Sequence, residues 1–86
     1  MQVTIRLFGA FRQFQDDDLL TLDCPGARTI SDVRCALDVH GRAHWPGFNS
    51  GLLRTSAFAT DEALLRAGSL LPADGRLAII PPVSGG

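Results

Sequence analysis

One stretch of this chain, TISDVRCALDVHG over residues 29–41, clearly combines the apolar period of a helix with a helix's length. Ile30, Val33 and Leu37 fall at i, i+3 and i+7 and form a single apolar stripe. Thr29 is a suitable N-cap, and Asp32 stands where a capping box wants a carboxylate, near the positive end of the helix. Gly41 is expected to supply the left-handed stop. A lone helix has no second helix on which to bury its stripe, so the flanking segments must provide a sheet.

They carry the pattern for it. Residues 2–8, QVTIRLF, alternate, with Val3, Ile5 and Leu7 on one side and Gln2, Thr4 and Arg6 on the other. Gly9 breaks that strand, with a helical turn expected around Ala10–Gln13, and Asp16, Asp17 and Asp18 form a charged turn. Three consecutive carboxylates splay apart on a turn, so this is read as a solvated loop rather than a cation site. LLTLDC, residues 19–24, alternates again and makes a hairpin with the first strand. LLPADG turns the chain into RLAII, residues 76–80, with Leu77 and Ile79 inward and Ala78 and Ile80 on the other side.

Two segments are less regular. Residues 42–53 read as a loop with two aromatic anchors, Trp45 and Phe48, which could face a partner but in so small a domain are expected to cap the core. RTSAFATDEALL, residues 54–65, fits either a strand followed by a capped short helix or a strand, a turn and a short returning strand. The order is therefore strand, strand, helix, loop, one or two short strands, last strand. That is an α+β, β-grasp arrangement: a mixed sheet wrapped over one main helix. A ferredoxin-like split would need a second helix of similar length.

At 86 residues the chain has room for one core, and 45% hydrophobic with 20% charged residues is the composition of a folded domain. A net charge of -1 offers no electrostatic reason for binding nucleic acid or an anionic membrane. Apolar runs reach no more than four residues, too short for a membrane span, and the start lacks the features of a signal peptide, so the cytoplasm is the expected compartment. Cys24 and Cys35 are then expected as free, partly buried thiols. His40 and His44 have a spacing that would chelate a metal on an intact helix, but Gly41 between them is expected to end it, so no metal site is assigned. All eight basic residues are arginine. The absence of lysine is either a compositional bias or a way to keep primary amines from a reactive terminus.

The last residues, IIPPVSGG, pose the functional question. Pro81 and Pro82 have no amide hydrogen to continue a ladder and each holds φ near −65°. A domain over residues 1–80 is therefore expected to release an extended, flexible tail over residues 81–86, reaching roughly 15–20 Å. Gly85 and Gly86 would let that backbone thread a narrow channel in another protein. The terminal carboxylate is a poor electrophile until activated, for example as an acyl adenylate. The chain has neither a P-loop nor a lysine to hold phosphates, and no sequence-evident nucleophile–base pair. ATP would have to be bound by a partner.

LFGAFRQF near the start, the capped helix, and LPADGRLAIIPPVSGG at the end together resemble the MoaD/ThiS family of ubiquitin-like sulfur carriers, and within it the small subunit of molybdopterin synthase. The resemblance spans nearly the whole chain and is sharpest over residues 71–86. It implies a hairpin in residues 54–65 with its turn near Asp61 and Glu62. It also implies that Gly86 is adenylated by a ubiquitin-activating-type enzyme using ATP and Mg, then loaded by a sulfur donor protein as a thiocarboxylate. The tail would enter the large synthase subunit and give sulfur to a pyranopterin precursor of the molybdenum cofactor. The chain would be a carrier rather than an enzyme, binding no cofactor itself. Phe8, Leu64 and Ile80, with Pro81, Pro82, Val83 and Ser84, match the family's partner-binding positions. The chain departs from the family in its long aromatic 42–53 segment and in an aliphatic residue at position 80. The alternatives are a carrier for thiamine thiazole or cysteine synthesis, a ubiquitin-like protein modifier, or a plain interaction domain whose terminal glycines are accidental.

Overall fold

Each alternating segment becomes a strand where a neighbour of matching register lies beside it. The computed structural model describes residues 1–82; Val83, Ser84, Gly85 and Gly86 lie outside the described residues. The elements are β1 (Gln2–Leu7), a 3₁₀ turn (Gly9–Phe14), β2 (Leu19–Asp23), α1 (Ile30–His44), α2 (Ser50–Arg54), β3 (Ala57–Ala59), β4 (Leu64–Leu65) and β5 (Arg76–Ile80). The sheet runs β2-β1-β5-β3-β4. β1 and β5 pair in parallel at its centre, and the other three pairings are antiparallel. Parallel neighbours cannot be joined by a tight turn. Here everything from β2 to β4, α1 included, makes the crossover.

This is the β-grasp expected from the order of elements. The inward residues Val3, Ile5, Leu7, Leu20, Leu22, Leu77, Ile79 and Phe58 form one cluster with Ile30, Val33 and Leu37 of α1. The 54–65 ambiguity resolves as a hairpin: Phe58 pairs with Leu65 and Ala59 with Leu64, and the Thr60 amide donates to the Ala63 carbonyl across the turn. Asp61 and Glu62 occupy that turn.

The start of α1 is built as its sequence dictates. The Thr29 hydroxyl accepts from the Asp32 amide, and the Asp32 carboxylate accepts from the amides of Arg28 (2.8 Å) and Thr29 (3.0 Å). Two further amides of the first turn, on Ile30 and Ser31, donate to the carbonyls of Ser69 and Ala67. A helix start leaves such donors unpaired, and the chain beyond β4 supplies their acceptors.

The end of α1 differs from expectation. The helix continues through Gly41 to His44 and is capped at Trp45, whose amide donates to the Gly41 carbonyl. Trp45 precedes Pro46, and a residue before proline is pushed out of the helical region; its φ and ψ are -106° and 105°. Gly41 provides space instead of a stop: a Cβ there would lie 2.6 Å from the Phe48 ring. The expected 42–53 loop is instead the last turn of α1, a short link, and most of α2, which Asn49 caps by accepting from the Gly51 amide at 2.7 Å.

The aromatics of this region do cap the core. Trp45 is buried and stacks on Phe14 at 5.0 Å with 10° between the rings, and Phe48 packs against both. Phe11 of the 3₁₀ turn, fully buried, meets the edge of Phe14. Arg34 bridges α1 to the end of α2 and the chain just after it, donating to the carbonyls of Leu53 and Ser56 while its guanidinium lies 5.0 Å from the Phe58 ring centre. Because α1 is continuous, His40 and His44 share one face, 4.8 Å between ring centres.

Candidate functional site

The sheet's second face is left open, and the register settles which side chains it presents. Leu19, Arg6, Ala78, Ala59 and Leu64 form one row across the five strands. Paired residues point to the same side, and the alternate row is the buried one, so this row faces outward. Ile80 pairs with Ala57 on that same face. Phe8, with extended backbone, continues β1 one step past the Leu7–Ile79 pair and comes level with Ile80.

Phe8, Ile80 and Leu19 line a broad concavity of ≈ 870 Å³, with Ala78 on its floor, Arg6 and Arg76 beside them, and Asp61 and Glu62 of the β3–β4 turn at one edge. Phe8 is 42% and Ile80 38% exposed, so neither is core. The structure thus brings Phe8 and Ile80 together. Leu64, 69% exposed, stands apart on the edge strand, two strands from Ile80 and roughly 10 Å away at the usual strand spacing.

Pro81 is the last element of the site with a defined seat. A Cβ at Gly9 would lie 2.6 Å from the Pro81 ring, and Gly9 has φ +55°, where side-chain-bearing residues are strained. The residue after Phe8 therefore makes room for the residue after Ile80. β5 ends there, and Pro82 follows, exposed. Val83, Ser84, Gly85 and Gly86, the remaining predicted site residues, fall outside the described residues.

Three residues of this face were not singled out from sequence. Leu19 had a usable signal, since Leu20, Leu22 and Cys24 take the inward positions of β2 and push Leu19 out. Arg6 and Arg76 had none, because they become neighbours only through the β1–β5 pairing, between segments far apart in the chain. Among the described residues the single ion pair is Arg42–Asp38 on α1 at 3.0 Å. Arg6 and Arg76 thus make no direct ion pair there, and the face combines apolar side chains with these two guanidinium groups and the carboxylates of Asp61, Glu62 and Asp74 around them.

Other reactive groups do not converge on it. Cys24 and Cys35 are both free; Cys24 is buried, and its burial pushes the thiol pKa up. Cys35 is exposed rather than partly buried as expected, because it falls on the solvent side of α1. Among the described residues no three His, Cys, Asp or Glu side chains gather into a metal site, and no helix is long and apolar enough to cross a membrane.

What is defined is a small β-grasp domain with an open, partly apolar sheet face beside the exit of its last strand. No protein-family model matches the chain, and no curated protein matches it either. Among solved structures, the crystal structure of SAMP1 from Haloferax volcanii is similar, with a TM-score of 0.71, 24% identity, and 100% of each chain covered. The likeness is one of fold: both have the ubiquitin-like β-grasp architecture.

Proposed function

We propose that this chain is a sulfur carrier whose Gly86 carboxylate is activated and loaded by other proteins. The observation that carries this reading is the exit of β5. Ile80 ends the strand beside exposed Phe8, and Pro81 sits against Gly9, so the segment leading to Gly86 starts at the rim of the open apolar face. A partner that docks on this face has the terminal carboxylate within tail's length of its own active site.

In the proposed cycle a ubiquitin-activating-type enzyme, using ATP and Mg, joins the Gly86 carboxylate to AMP and releases pyrophosphate. A sulfur nucleophile delivered by a donor protein displaces AMP and leaves the thiocarboxylate. The loaded tail enters the large subunit of molybdopterin synthase, where the sulfur passes to a pyranopterin precursor. This chain contributes recognition and the acyl group, while its partners hold the nucleotide and do the catalysis. The likeness between its N-terminal and C-terminal motifs and the synthase small subunit supports the choice of pathway.

A one-residue change tests the role of the terminus. Deleting Gly86, or adding one alanine after it, is expected to abolish dithiolene formation in a synthase reconstituted with the large subunit, with no change in fold. Activity retained by the extended chain contradicts the reading. Loading without transfer to the pyranopterin would assign the carrier to another acceptor, in thiamine thiazole or cysteine synthesis or on a protein amine.

A further inference from the structure

The carrier reading makes no use of the far end of α1, where the helix holds two histidines in chelating register. We propose that His40 and His44 together bind one borderline divalent transition-metal ion, of the copper(II), nickel(II) or zinc(II) class, on the surface of the last turns of α1.

The geometry carries the proposal. Residues four apart on a continuous helix are neighbours on one face, and α1 runs unbroken from Ile30 to His44. Two imidazoles that each bind the same ion through one nitrogen at about 2.0–2.1 Å have ring centres roughly 5 Å apart, for nitrogen–metal–nitrogen angles between about 90° and 110°. The observed separation is 4.8 Å, with 40° between the ring planes. That separation falls within the range chelation requires.

Neither imidazole is engaged elsewhere. Nearby polar groups bond to other partners: the Trp45 indole donates to Gln15 and Arg42 pairs with Asp38 and Ser50, leaving both imidazole rings without a hydrogen-bond partner among the described residues. His40 is held edge-on against Trp45, 5.3 Å between ring centres and 89° between planes, so one ligand is ordered in advance. The end of a helix also carries partial negative charge.

The ligand class follows from the donors. Two imidazole nitrogens suit borderline ions and offer nothing to Mg or Ca, which take oxygen. With no third His, Cys, Asp or Glu beside them among the described residues, the remaining positions on the ion belong to water or to a donor from a bound partner. The order of affinity should put copper(II) above nickel(II) and zinc(II).

Trp45 is the sole tryptophan and touches His40, so it reports binding directly. Titration of the full chain, free of any histidine tag, with copper(II) or nickel(II) is expected to quench that fluorescence saturably at one ion per chain, with magnesium(II) inert. His44 is exposed, so His44→Ala and His44→Gln should leave the fold intact. Each is expected to weaken binding at least as much as loss of an outer-shell partner does elsewhere, roughly 10–100-fold, and to remove the rise in Tm that zinc(II) gives the parent chain. Absence of saturable quenching overturns the proposal, and so does equal affinity in the parent chain and both His44 variants.

Discussion

Gly9 is the residue that makes room for Pro81 at the end of β5, and its two constraints can be separated. Its φ of +55° disfavours any side chain, and a Cβ would press on the Pro81 ring. Gly9→Ala is expected to cost about 1–2 kcal/mol from backbone strain alone, with the ring contact adding to it. Pro81→Ala in the same chain should recover the contact part and leave the strain, so chemical denaturation of the two single variants and the double variant should give a measurable coupling energy. Additive effects would mean that Gly9 does not seat Pro81. This contact was not legible from sequence: Gly9 stood out as a strand breaker, while its second role depends on a residue brought close only by parallel pairing of β1 with β5. The caps were legible, because Thr29 and Asp32 lie within one turn and need nothing distant.

Among the elements, α1 shows how a local rule can be right in kind and wrong in cause. Glycine near the end of an apolar period usually stops a helix. Here the stop comes four residues later from Trp45 and Pro46, and Gly41 serves the Phe48 ring. Gly41→Ala therefore sets two effects against each other. Helix propensity favours alanine by about 1 kcal/mol, whereas overpacking a filled space costs about 1–3 kcal/mol. Three atoms of the Phe48 ring lie within 2.7 Å of the new methyl position, and Trp45 and Phe14 close the space behind that ring. A net loss of stability is expected, and a rise in Tm would show that the ring moves aside freely.

The other end of α1 has a pH signature. Hydrogen bonds from the Arg28 and Thr29 amides hold the Asp32 pKa below its ordinary 3.8. Between the two values the unfolded chain binds more protons than the folded one, so stability rises with pH across that window. The contribution is present above 3.8 and is lost as pH falls through the lower, folded value. Denaturation midpoints followed with acid should fall less steeply there in Asp32→Asn than in the parent chain; identical profiles would remove the carboxylate from the cap's energetics.

For the molecule as a whole, the outline of the fold followed from one helical stripe and three alternating segments, but its assembly did not. The strands β3 and β4 are three and two residues long, too short to declare themselves, and register alone defines the open face. That face is where partners are proposed to dock. Phe8→Asp, at a half-exposed position outside the core, should leave the fold intact, as circular dichroism would show, yet sharply weaken association with the activating enzyme in surface-binding measurements. Undiminished association would move the docking site elsewhere.

The central claim is chemical and is read most directly by mass. The full chain, incubated with its activating enzyme, ATP, Mg and a sulfur donor, is expected to gain about 16 Da as one terminal oxygen is replaced by sulfur, and a chain lacking Gly86 is expected to gain nothing. An unchanged mass for the full chain, or the same gain without Gly86, would contradict the account.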